Sequence, residues 1–251
     1  MSADCFWLGE DQFARLAPLL PNDTRGVPRV DDRRVISVIV HVLRAGCLWK
    51  DAPACYGPHK TLYNRFVRWA AKGVWENVFI GLAANGGPPA ALMIDATHVK
   101  AHRSAAGGKG GPEAQAIGRS RGGRTTKIHA AVDERGRPRR LIVRPGHRGD
   151  APVAADLVAG FAPAMCLADA AYDSDALRTA LIERGTLPVI PNNPTRKRKH
   201  PFDRRAYRAR NVIERTFSRL KDWRRIATRY DKLARNYLAA VCIAAAVACW
   251  L

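Results

Sequence analysis

Acidic residues are scarce in this chain. Against 22 Asp and Glu stand 42 Lys and Arg among 251 residues, giving a net charge of +20 and a pI near 10.5. That imbalance calls for an anionic partner, either nucleic acid or an acidic membrane surface. Long apolar runs are also missing: the longest, residues 238–251, has 14 residues, too few to span a bilayer and suited to a buried helix. Residues 1–11 lack the basic start and apolar core of a secretory signal, so a soluble cytoplasmic protein without a membrane partner is expected. A membrane-surface role is disfavoured because the charge spreads over loops and gathers on no amphipathic helix. The six cysteines form no Cys-x-x-Cys and no regular spacing, which excludes a zinc framework or a disulfide scaffold and leaves reduced, mostly buried thiols. Only His98 and His102 stand four apart, and they follow a strand-like run, so a histidine-held metal is not indicated.

What is present can build a core, since 47% of the residues are hydrophobic. Charge is uneven: residues 1–85 hold 11 Lys and Arg and 8 Asp and Glu, net +3, and the rest hold 31 and 14, net +17. The first 85 residues read as a small all-helical unit of three helices, over residues 11–20, from Asp31 or Asp32 to Leu43, and over residues 61–71. Residues 56–69 have the form of a turn and a recognition helix, with His59, Lys60, Asn64, Arg65 and Arg68 available to DNA. The competing reading is a packing module with an incidental basic face. Asn85-Gly-Gly-Pro-Pro89 marks a junction.

Beyond it the pattern is strand, hairpin pair, helix, strand, helix, strand, helix, which predicts an α/β mixed sheet flanked by helices. Residues 91–95 and 164–169 are apolar runs that each end in an acid, Asp95 and Asp169. A strand-terminal Asp suits a site at strand ends, although each could serve only as a turn or cap residue. A Gly-, Arg- and Lys-rich insertion over residues 105–126 lacks apolar periodicity and reads as a phosphate-binding loop, and residues 195–200 form a second basic run. Near the C-terminus Tyr207, Arg210, Glu214 and Lys221 share one face of a helix-compatible run over residues 205–225, with Val212, Ile213, Leu220 and Trp223 on the other side. Arg210 and Glu214 form an i,i+4 pair, which by itself only solvates a helix face. Asp95, Asp169 and Glu214 together form the kind of hard-oxygen set that holds two Mg²⁺ ions for phosphodiester chemistry.

These segments resemble the DDE (Asp-Asp-Glu) transposases of bacterial insertion sequences, in the insertion sequence 5 group. Ile94-Asp-Ala-Thr-His-Val-Lys-Ala-His-Arg103 looks like the block of the first catalytic acid, followed by Gly118-Arg-Ser-Arg-Gly-Gly-Arg-Thr-Thr-Lys127. Leu167-Ala-Asp-Ala-Ala-Tyr-Asp173 matches the second block, and Tyr207, Arg210, Glu214 and Lys221 fit the signature Tyr-x2-Arg-x3-Glu-x6-Lys. The likeness begins at Leu8 and covers nearly the whole chain. Gly149-Asp150 departs from it, standing where many relatives have His-Asp.

The resemblance implies a ribonuclease-H-like catalytic domain over residues 86–251, after a helix-turn-helix-like, DNA-end-binding domain over residues 1–85. It also implies that Asp95, Asp169 and Glu214 are catalytic and hold two Mg²⁺ ions, with Mn²⁺ as a substitute. Tyr207, Arg210 and Lys221 would position DNA phosphates, and Arg121, Arg124, Lys127, Lys60, Arg65 and Arg68 would add DNA contacts. The implied partners are terminal inverted repeats and target DNA, bound by a homodimer or higher oligomer near the bacterial nucleoid. A nuclease that never joins strands, and a DNA-binding regulator or inactive remnant without turnover, are the alternatives. Asp169 is taken over Asp173 and Asp175 as the second acid, with Asp173 expected to cap the next helix for about 1 kcal/mol.

Overall fold

The computed structural model describes residues 5–22 and 29–251; residues 1–4 and 23–28 of the expected N-terminal unit lie outside the described residues. Four helices come first: α1 (Glu10–Leu16), α2 (Asp32–Ala45), α3 (His59–Ala71) and α4 (Val74–Ala84). Helix α2 starts where Asp31 accepts the Arg33 N–H and stops at Gly46, whose φ of 77° continues no right-handed helix. Three helices were expected. The fourth, α4, is set off from α3 at Gly73, where φ is 69°.

The second part runs β1 (Ala91–Ala101), α5 (Gly111–Gln115), β2 (Gly118–Ser120), β3 (Gly123–Asp133), β4 (Pro138–Pro145), α6 (Ala154–Val158) and β5 (Met165–Leu167). It continues with α7 (Asp175–Ile182), β6 (Leu187–Val189), α8 (Arg204–Tyr207), α9 (Asn211–Lys221), α10 (Arg224–Ala227), β7 (Thr228–Arg229) and α11 (Ala234–Cys249). Strand β3 pairs antiparallel with β1 on one side and with β4, and β5 and β6 follow in parallel to β1. Short β2 pairs with β3, and β7 with the end of β1. Three antiparallel strands followed by two parallel ones, flanked by helices, make the mixed sheet that the element order predicts, in the ribonuclease-H-like arrangement that the resemblance implies.

Alternation along β1 sends Met93 and Val99 to one face and Leu92 and Ile94 to the other. Met93 and Val99 join a large core with Ile213, Phe217 and Leu220 of α9 and the alanine-rich α11. Leu92 and Ile94 join a smaller core with Leu157 of α6 and Leu177 and Leu181 of α7. The larger core runs on into Val38, Phe66 and Phe79 of α2 to α4, so the N-terminal helices and the sheet pack on opposite sides of α11. The junction at residues 85–89 is a turn in the chain and not a gap in the packing. Small side chains at Ala239, Ala240 and Ala244 permit that close two-sided approach.

The insertion at residues 105–126 differs from the loop expected there, since it contains α5, β2 and the start of β3. Its order comes from polar contacts. Arg229, fully buried, donates to the carbonyls of Gln115 and Ala116 and to Thr126 Oγ1, tying the insertion to the sheet.

Candidate active site at one edge of the sheet

Asp95 lies inside β1 and not at its end, since six more strand residues follow it. It pairs with Ala130, a residue of the larger core, so its carboxylate is on the α9 side of the sheet. Asp169 stands two residues beyond β5, where its Oδ1 accepts the Ala171 N–H at 3.0 Å and caps a single 3₁₀ turn. Helix α9 is held over this edge by Ile213, Thr216, Phe217 and Leu220, all buried. Its approach depends on Gly136 in the β3–β4 turn. There φ is 76°, Thr216 Oγ1 donates to the glycine carbonyl at 2.8 Å, and a Cβ would come within 2.9 Å of Val212 and Thr216.

The helix-compatible run is nearly continuous: α8, a 3₁₀ turn over Arg208–Arg210, then α9, which ends at Lys221 before Trp223 turns extended. Of Tyr207, Arg210, Glu214 and Lys221, Arg210 and Lys221 reach β1. Arg210 connects two of the candidate acids, donating from Nη1 to Asp95 Oδ2 at 2.8 Å and from Nη2 to Glu214 Oε1 at 3.0 Å. Its guanidinium also lies 5.6 Å from the centroid of the Tyr207 ring, which packs edge-on against Phe202. Lys221 Nζ donates to Thr97 Oγ1 at 2.6 Å, on the same face of β1 as Asp95, and burial pushes its pKa down. Burial, and then the neighbouring Asp95 carboxylate, push the Asp169 carboxyl above its ordinary range.

Among the described residues no three acidic, histidine or cysteine side chains converge on one point. The Arg210 guanidinium stands between Asp95 and Glu214, whose side chain is 60% exposed. The donor chemistry nevertheless suits a hard divalent cation: all three groups are carboxylates, and the Asp169 carboxyl, raised first by burial and then by the Asp95 charge, is one whose ionised form a cation would favour.

A second polar cluster lies on the opposite face of the sheet. Lys127 of β3 donates to Asp150 Oδ1 at 2.7 Å and to the Arg148 carbonyl at 2.9 Å. Lys127 is therefore buried and committed to an ion pair, contrary to the surface DNA contact expected of it. Strand β3 is covered on both faces along residues 125–133, which is why its lysine is inside. Asp150 also comes within 3.8 Å of the fully buried His129, whose pKa burial lowers to about 4. The Tyr172 hydroxyl, buried without a hydrogen-bond partner, is pushed up by that burial and by Asp150, Asp95 and Asp169.

Of the remaining candidate DNA contacts, Arg121 and Arg124 are exposed at the β2–β3 turn, and Lys60 and Arg68 are exposed on α3. Arg65 is not. It is buried against Trp69 and pairs with Asp32 at 2.6 Å, so it fastens α3 to α2. In the basic run over residues 195–200, Lys197, Arg198 and Lys199 are exposed, whereas Arg196 and His200 turn inward. Arg196 contacts Asp173 at 2.6 Å and Asp175 at 2.5 Å, and His200 contacts Asp175 at 3.0 Å. Asp173 caps no helix, because Ser174 does so by accepting the Leu177 N–H. Asp173 is instead a buried counter-ion, bonded to Arg178, Arg196 and the Asn193 N–H.

Two family models cover most of the chain: one described as "Transposase DDE domain" matches residues 86–249, and one described as "Putative transposase of IS4/5 family" matches residues 8–79. A protein of Brucella ovis named "Putative transposase for insertion sequence element IS6501" is 41% identical over 129 residues, 51% of this chain and 98% of that protein. "Uncharacterized protein y4sN" of Sinorhizobium fredii is 32% identical over 132 residues, 52% of this chain and 98% of its own length. Among solved structures, the piggyBac transposase in a synaptic complex with hairpin DNA shares the fold. Its TM-score is 0.54 at 11% identity, over 96% of this chain and 71% of that one. No described helix is long and apolar enough to cross a membrane. With the fold and both family models in agreement, the chain belongs to the DDE transposases of bacterial insertion sequences, in the IS4/5 group.

Proposed function

We propose that this transposase cleaves DNA at the ends of its insertion sequence and joins the freed 3′-OH to target DNA, with Asp95, Asp169 and Glu214 as the catalytic carboxylates. The observation that carries the reading is the bridge of Arg210 between Asp95 and Glu214. It brings acids from two distant segments to one sheet edge, where Asp169 already feels the Asp95 charge. The three carboxylates would hold two Mg²⁺ ions, or Mn²⁺ in their place, and such ions supply Lewis-acid stabilisation of the attacking and leaving oxygens.

The protein's own part is positioning and charge. Asp95 sits on a central strand directly after the buried residues Leu92, Met93 and Ile94, a rigid mount. Arg210 neutralises Asp95 and Glu214 in the free protein; released from them, its planar fork can pair with a DNA phosphate beside the acids. Lys221, anchored on Thr97, holds a further positive charge at the same edge. Exposed Arg121, Arg124, Lys60 and Arg68 extend the electropositive surface to DNA, and residues 1–85 would recognise the terminal inverted repeats. A dimer or higher oligomer on DNA, near the nucleoid of the bacterial cytoplasm, belongs to the same proposal.

The deciding experiment is metal-dependent nicking of DNA carrying the element's ends, followed by strand transfer into a plasmid. Asp95→Asn should abolish both while leaving DNA affinity equal or higher, because one negative charge is gone. Full nicking by that variant would sink the assignment. Nicking without joined products would leave a nuclease, and DNA binding without nicking by the unaltered chain would leave a regulator.

A further inference from the structure

Away from the acids, a groove of ≈690 Å³ separates the polar face of α3 from the insertion and from the segment leading into α11. Trp49, Tyr63 and Tyr230 form aromatic walls. The Trp49 and Tyr63 ring centroids are 5.4 Å apart, and Tyr63 is 39% exposed, an open ring face on a strongly basic protein. Asp231 and Asn236 line the same groove. They are 8% and 6% exposed, and neither Asp231 Oδ2 nor Asn236 Oδ1 has a hydrogen-bond partner. Both oxygens are closed to solvent, so the reachable lining of the groove is its rings and cations. Lys50, Lys60, Lys109 and Lys232 surround the mouth; all four are exposed, and none forms an ion pair among the described residues.

A duplex is too wide for this space, whereas its volume lies within the range that encloses a small ligand, such as a single nucleotide. The lining supplies two things an unpaired nucleotide requires: ring faces for stacking and cations for the phosphate. We propose that the groove takes an unpaired nucleotide of a DNA strand. Its base stacks on Tyr63, and its phosphate lies among the lysines. Arg229 prepares the site by binding the carbonyls of Asp231 and Lys232 together with those of the insertion, so both walls are fixed by one buried cation. The inference rests on the reading of the chain as a DNA transposase, and the test below separates the two.

The full-length protein is titrated, without metal, against three labelled duplexes of one sequence: fully paired, with one unpaired nucleotide, and with an unpaired abasic residue at the same point. The unpaired nucleotide should tighten binding on the order of ten-fold, and the abasic residue should bind like the paired duplex. Tyr63→Ala should remove the gain, and Tyr63→Phe should keep it; melting curves confirm that both variants fold. A 2-aminopurine at the unpaired position should lose fluorescence on binding to the parent protein and not on binding to Tyr63→Ala. Equal affinity for the paired and unpaired duplexes overturns the proposal, as does an abasic residue that binds as tightly as the intact one, since bendability or phosphate alone then accounts for the gain. Failure to bind any of the three duplexes overturns the transposase reading and this inference with it.

Discussion

Asp169 and Asp173 are four residues apart in one motif, and replacing each with alanine should separate chemistry from stability. The Asp173 side chain is buried, with Oδ1 2.8 Å from Arg178 Nε and Oδ2 2.6 Å from Arg196 Nε, and it accepts the Asn193 N–H at 2.7 Å. Burial works against its charge, yet those donors hold its carboxyl below the ordinary range. Asp173→Ala leaves Arg178, 3% exposed, with only the Ile190 carbonyl. Stranding a buried charge in this way costs about 3–5 kcal/mol, several times the helix-cap value expected from position alone. For a chain of this size that corresponds to a fall in Tm on the order of 10 °C. Asp169→Ala loses one backbone hydrogen bond, about 1 kcal/mol, and gains relief from the Asp95 carboxylate, so its Tm should stay within a few degrees of the parent. Thermal melts followed by circular dichroism, beside Mg²⁺-dependent nicking at a temperature where all variants are folded, give both quantities. The reasoning is refuted if Asp173→Ala melts normally but does not nick while Asp169→Ala nicks normally.

Three further outcomes are expected. The folded pKa of His129, about 4, lies below its unfolded value near 6.5, so its stabilisation is complete above pH 6.5 and is lost as pH falls toward 4. The loss amounts to roughly 3 kcal/mol. Because His41 is also lowered by burial, the check is the difference in Tm between pH 7 and pH 4.5 for the parent and His129→Gln, which should be smaller in the variant. Lys60→Ala and Arg68→Ala should each weaken DNA binding with little effect on Tm and reduce the slope of log K against log salt by about 1, measured by anisotropy. Arg65→Ala should instead lower Tm by several degrees, because Asp32 loses its partner from α3 and Trp69 its stacked cation; an unchanged Tm with a reduced salt slope would return Arg65 to the DNA surface.

The elements were legible for a local reason, and the misplaced cations share a non-local one. Residues 91–95 and 164–169 announce strands and acids within five or six positions, and the hairpin around Asp133-Glu-Arg-Gly136 announces itself by turn chemistry. A cation carries no such sign of where it ends up. Arg65, Lys127 and Arg196 look like Lys60, Arg121 and Lys197 in sequence, but each of the first three meets an acid supplied from elsewhere: Asp32, Asp150 and Asp173. The order of residues 105–126 was hidden likewise, since it depends on Arg229, more than 100 positions away, and on no apolar stripe. Arg210 is the case where both scales operate. Its i,i+4 partner Glu214 can be read from spacing, while the bond to Asp95 spans 115 positions and exists only because Gly136 lets α9 come down on the β3–β4 turn. A net charge of +20 therefore overstates the surface available to DNA, because several of these cations are used to hold acids in place. The cations that remain exposed without acidic partners, such as Lys60 and Arg124, are where binding should be most sensitive to salt.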